Sequence, residues 1–179
     1  MKRSFKVWSA LGSRLINRVA AGVLSIGLVA AAQAMPDASN PQVQQGEYLA
    51  RAGNCMGCHT TRGGKPYAGG RRLNTPFGQF ITPNLTPDNG TGIGNWSGDD
   101  FWQALHHGKS RVGRNLYPAF PYTEYTKVTR QDADAIFAYL RTLPAVVQTN
   151  PPHTIYSPYD HQWLLSLWRT WYFKEGAYQ

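Results

Sequence analysis

The sequence predicts an all-α fold with long loops, and three observations carry that reading. Two segments, 97–108 and 129–144, place apolar residues at helical spacing behind capping residues. No run alternates convincingly with period two, so no strand is expected. Between the helices the chain is dense in Gly and Pro, which favours turns over long regular elements.

Residues 1–34 stand apart from the fold. Lys2, Arg3, Lys6, Arg14 and Arg18 precede the uncharged run Val19 to Ala32, which closes on Ala32-Gln33-Ala34. Cations, then an apolar run, then small residues at alternate positions make a secretory signal, cut after Ala34. Spanning a bilayer takes about 20 apolar residues, so the run is short for a membrane helix, an uncleaved anchor being the alternative. The formal charge of +8 belongs mostly to this segment: removing its five cations leaves 13 basic against ten acidic residues, a net of +3. So small and scattered a charge argues against nucleic acid as a partner. Residues 35–179 number 145, the size of one domain, with 35–43 expected as a flexible start.

The first element is a short helix over Gln44 to Asn54, with Tyr48, Leu49 and Ala52 on one face, running straight into Cys55-Met56-Gly57-Cys58-His59. Two thiols three positions apart, followed at once by an imidazole, form the attachment sequence for a c-type haem. Each thiol can form a thioether to one porphyrin edge while His59 swings beneath the iron as proximal ligand. A CxxC redox pair has no need of the adjacent His. A thiolate zinc site needs more cysteines, and the chain has only these two. One covalently bound haem c per chain is therefore expected, using both thiols.

Thr60 to Asn95 carries Gly63-Gly64, Gly69-Gly70, Thr75-Pro76, Thr82-Pro83, Thr86-Pro87 and Asn89-Gly90. A loop this long is uncommon unless it has a task, here to wrap a flat apolar cofactor. The next helix starts at Ser97, with Asp100 as its capping partner, carries Phe101, Trp102 and Leu105, and ends at Gly108. After a loop containing Tyr117 to Tyr122, another opens on Thr129 and Asp132, carries Ile136, Phe137, Leu140 and Leu143, and stops at Pro144. These elements delimit a haem domain at 44–147. Residues 148–179 form a proline-rich break and then a Trp-rich segment, His161 to Phe173. Two readings stand for this tail: it folds back as core, or it docks on a protein or a membrane surface.

The ordered blocks resemble class I cytochromes c, and more narrowly the haem domains in cytochrome subunits of bacterial membrane-bound dehydrogenases for alcohols, aldehydes and sugar acids. The residues carrying this are Gly46-Glu47-Tyr48-Leu49 before the motif, then Thr75-Pro76-Phe77-Gly78 and Asn84 to Asp88 with Thr91 to Gly94 and Trp96. Leu116 to Tyr122 and Ala138 to Arg141 with Leu143-Pro144 complete it. The match covers about residues 44 to 147. It implies a small class I cytochrome c-like fold wrapped around one haem, export to the periplasm, and one-electron transfer between a dehydrogenase or another cytochrome and the respiratory chain. Such subunits commonly carry several haem domains in a row, and the stretch from Asn150 resembles the linker after the first.

An electron carrier needs no catalytic residues; axial ligands, burial and nearby charge tune it. Arg71 and Arg72 are candidates to pair with haem propionates, or else lie on a solvated turn, and Trp96 to pack at the haem edge. Tyr67, Phe77, Phe80, Tyr117 and Phe120 read as core. The resemblance often has methionine where Phe120 stands, and Phe120 cannot ligate iron. The candidate distal donors are His106, His107, His153 and His161. His106, at the edge of the apolar face beside Trp102, is the expected choice. An open iron position that binds or reduces peroxide or nitric oxide is the alternative function.

Overall fold

The structure, a computed structural model, describes residues 37 and 39–176. The expected signal, residues 1–34, lies outside the described residues.

In chain order the elements are α1 (Pro41–Ala52), α2 (Cys55–Cys58), β1 (Arg72–Thr75), β2 (Gly78–Ile81), α3 (Gly98–His107), α4 (Tyr122–Tyr125), α5 (Arg130–Thr142), β3 (Thr154–Ile155) and α6 (Gln162–Tyr172). Asn40 caps α1 by accepting from the Gln42 N–H, with Pro41 in the first turn, so this helix starts three residues before the expected Gln44. α3 and α5 begin where their caps predict. The Ser97 hydroxyl accepts from the Asp100 N–H while the Asp100 carboxylate accepts from the Ser97 N–H, and Gly108 closes α3 in the left-handed region. Thr129 accepts from the Asp132 N–H at the start of α5.

The all-α expectation is corrected by a three-stranded antiparallel sheet in the order β1-β2-β3. Its strands have four, four and two residues, too short to show alternation. Its third strand pairs Thr154 with Gln79 and Ile155 with Gly78, across a sequence gap no local pattern reveals. Thr60 to Asn95, expected to be free of long regular elements, holds only the short β1 and β2.

The core lies where α1, α3 and α5 meet, built from Ala50, Phe101, Leu105, Ala133, Ile136 and Leu140. α1 crosses α5 at Gly46, where an added Cβ would come within 2.5 Å of the Ala135 carbonyl carbon. Only glycine allows that approach.

Residues after α5 stay strapped to the domain. Asn84, 2% exposed, donates to the Val146 carbonyl at 2.8 Å. The Gln148 N–H reaches Thr91 Oγ1 at 3.0 Å, and His153 Nδ1 accepts from the Ile81 N–H at 3.1 Å.

α6 packs through one face. Leu165 is buried, and the Arg169 guanidinium lies over the rings of Tyr122 and Phe173 while donating to the His107 carbonyl at 2.7 Å. Its other face carries Trp163 and Trp171, both more than 60% exposed. The tail is thus core on one side and open surface on the other.

Candidate functional site

α2 is a single turn that follows a left-handed residue, Asn54 at φ 54°, and it puts Cys55 and Cys58 on one side, three positions apart. Both thiols are free, Cys55 half-buried and Cys58 exposed. Burial pushes the Cys55 thiol up to about 11.

His59 closes the turn, its N–H donating to the Cys55 carbonyl at 2.9 Å. Its Nδ1 lies 2.8 Å from the carbonyl oxygen of Pro83. A carbonyl can only accept, so Nδ1 carries the hydrogen and Nε2 is left as the lone-pair nitrogen. Burial lowers the His59 pKa against the opposing pull of that carbonyl, favouring the neutral ring.

The loop holding Pro83 is pinned to the motif by Gly69. The Gly69 N–H donates to the His59 carbonyl at 2.7 Å, and the neighbouring Gly70 N–H donates to the Thr82 carbonyl at 2.9 Å. At φ 76° and with the Pro83 carbonyl where a Cβ would sit, position 69 requires glycine. Sequence reasoning noted this glycine only as a turn signal and did not identify Pro83 as the partner of His59.

The two arginines divide. Arg71 donates to the Gly57 carbonyl inside α2 and, with Thr60, Thr61 and Arg62, lines a cavity of about 420 Å³ beside the motif. Arg72 bonds Gln79 across the hairpin at 2.5 Å. Trp96 packs against the core cluster, as does Phe120. Phe120 lies 5.4 Å from the ring of Tyr125, whose hydroxyl donates to the Gly53 carbonyl at 2.8 Å just before α2. Burial pushes the Tyr125 phenol up to about 12, with the two cysteine thiols as secondary causes. Tyr67 and Phe80 are buried as expected, whereas Phe77 is half exposed: it sits at the hairpin turn, edge-on to Tyr159.

The four candidate distal donors, His106, His107, His153 and His161, have different surroundings. His106 stacks on Trp102 with ring centroids 4.1 Å apart, and its Nδ1 is buried without a hydrogen-bond partner. Burial and the neighbouring His107 lower its pKa. His107 Nδ1 meets Glu175 at 2.9 Å, His153 is bound to Ile81, and exposed His161 stacks near Trp163. Among the described residues, no three His, Cys, Asp or Glu side chains gather as for a bare metal ion.

Residues 43–144 match the family model for cytochrome c, which spans the elements from α1 through α5. The chain belongs to the cytochrome c family. It is 44% identical over 140 residues to a gluconate 2-dehydrogenase cytochrome c subunit of Pantoea cypripedii, covering 78% of this chain and 32% of that protein. It is 36% identical over 160 residues to the cytochrome c subunit of an alcohol dehydrogenase (quinone) of Gluconacetobacter polyoxogenes, covering 87% of this chain and 34% of the relative. A diheme cytochrome c-type protein of Cereibacter sphaeroides is 38% identical over 133 residues, covering 72% of this chain and 45% of its own. The chain thus spans about a third of the length of the two dehydrogenase subunits.

Membership in the cytochrome c family implies a covalently bound haem c. The residues present fit that group: two free thiols on one turn, and an imidazole whose Nδ1 is tied back so that Nε2 is the donor nitrogen.

Proposed function

We propose that this cytochrome c domain is an exported one-haem electron carrier, with Cys55 and Cys58 as the thioether residues and His59 as the proximal axial ligand. The observation that carries the reading is the hydrogen bond from His59 Nδ1 to the Pro83 carbonyl directly beside the two thiols. A count of one haem rests on there being two cysteines. The bound group supplies a one-electron couple. The chain's own part is to hold it at two thiols, fix the imidazole, and screen the site from water with the core of α1, α3 and α5.

The partner proposed is a dehydrogenase subunit or another cytochrome, because the relatives are cytochrome subunits of dehydrogenases by name. Residues 1–34 support a periplasmic location, and the net charge of +3 for residues 35–179 suits docking on an acidic surface. The proposed route ends in the respiratory chain.

Two readings divide at the sixth iron position. In the first, His106 ligates, supported by its buried and unpartnered Nδ1. In the second, the position is open to small ligands such as peroxide or nitric oxide, supported by Phe120 in the loop next to Tyr125 and by the packing of His106 onto Trp102. A potentiometric titration followed in the visible spectrum tests the carrier reading: one reversible one-electron step is expected, and the absence of a redox-linked spectrum would overturn it. Carbon monoxide added to the reduced protein separates the two ligations. A His106-ligated iron resists it until His106→Ala, whereas rapid binding by the unaltered protein gives the open site.

A further inference from the structure

α6 carries large apolar side chains on its outward side as well as its inward one. Toward the domain it packs buried Leu165 with half-buried Leu164 and Trp168, and Gln162, Ser166 and Arg169 hydrogen-bond the neighbouring loops. Away from it, Trp163, Leu167 and Trp171 recur every four residues along one line, 64%, 39% and 66% exposed. A helix face bathed in water ordinarily carries polar side chains in place of such a stripe.

We propose that this outward face, with the adjoining Arg111–Arg114 turn, is a docking site for a lipid surface bearing anionic headgroups. The proposal rests on the reading of the chain as an exported protein. The chemistry of the face selects lipid. Tryptophan stands at both ends of the stripe, and its ring takes the apolar side of a headgroup boundary while its N–H stays at the polar side. No acidic residue occurs between Gln162 and Lys174.

The turn Arg111-Val112-Gly113-Arg114 adds an independent observation. Val112 is 79% exposed at its tip, between two arginines. The turn is closed by the Ser110 N–H on the Arg114 carbonyl at 2.8 Å, and it is joined to α6 through Asn115, which donates to Gln162 Oε1 and Ser166 Oγ. An apolar tip flanked by cations matches acyl chains beneath phosphates. Arg111 lies 3.8 Å from Asp100, which offsets part of its charge, and Glu175 is turned back onto His107. With 11 residues α6 lies on the surface and does not cross it, and no described helix is long and apolar enough to span a membrane.

The test is co-sedimentation of the exported holoprotein with vesicles of phosphatidylethanolamine and phosphatidylglycerol, and with vesicles of phosphatidylcholine alone, while tryptophan emission is recorded. Binding to the anionic vesicles with a blue shift is expected. The triple variant Trp163→Ser, Leu167→Ser, Trp171→Ser should lose it by about tenfold or more, with helix content and haem spectrum unchanged. The pair Arg111→Gln and Arg114→Gln should weaken binding to anionic vesicles only. Equal binding by the triple variant, no binding by the unaltered protein, or capture of a soluble protein by this face with no vesicle binding would overturn the proposal. Colourless protein that still binds vesicles would sink the carrier reading and leave this one standing.

Discussion

Gly46 of α1 lies directly on the backbone of Ala135 in α5, so closely that a single added methyl group would overlap the Ala135 carbonyl. The two helices that frame the domain are set by this contact. Replacing Gly46 with Ala forces them apart across a core that includes Ala50, Ala133 and Ile136. A loss of about 1–3 kcal/mol is expected, the usual cost of overpacking, and chemical denaturation measures it. Gly90→Ala, whose added Cβ would meet no atom closer than 3.7 Å, is the control and should change little.

Gly69→Ala should act on the site itself. The added Cβ would collide with the Pro83 carbonyl that orients His59. The expected outcome is reduced haem retention or a shifted reduction potential with α-helical circular dichroism preserved. Unchanged retention and potential would show that the Pro83 contact does not position the ring.

Asn84 is the buried knot between the loop behind His59 and the segment leaving α5. Its Oδ1 accepts from the Thr86 N–H and hydroxyl at 2.9 and 2.7 Å, while its Nδ2 donates to the Val146 carbonyl and Thr91 Oγ1. Asn84→Leu leaves the buried Thr86 N–H without its acceptor and removes a donor from the Val146 carbonyl, and should cost about 1–3 kcal/mol of stability in the same denaturation assay.

Asp100 gives a pH-dependent test. The Ser97 N–H, more than any other group, holds its carboxyl below the ordinary value of 3.8, with Arg111 as a lesser cause and burial opposing. A carboxyl depressed in the folded state stabilises fully above the unfolded pKa, and that contribution fades as pH falls through the folded one. Stability of the unaltered protein should therefore drop more steeply below about pH 4 than that of Asp100→Asn. Ser97→Ala, which removes the hydroxyl half of the cap, should cost about 1 kcal/mol near neutrality.

Much of this was legible because it is local. Ser97 and Asp100, Thr129 and Asp132, and the Cys55 to His59 spacing are each set within a few residues, and the structure places the caps where the sequence puts them. The strands were not legible, because β3 pairs with β2 more than seventy residues away and pattern needs more than two residues. Pro83 escaped for the same reason: its role is a carbonyl, which side-chain identity does not reveal. The tail folds back onto the domain through Leu165 and Arg169, while Trp163 and Trp171 are exposed. One amphipathic helix divides its sides in a way that composition alone does not assign.

The central claim is covalent attachment of one haem at Cys55 and Cys58, and the intact mass of the exported protein after acid-acetone extraction tests it most directly. The account predicts that the colour stays with the polypeptide and that the mass equals the chain plus one haem, with the thioether bonds lost in the double variant Cys55→Ala, Cys58→Ala. Haem that extracts freely, or a polypeptide with the bare mass of the chain, would contradict it.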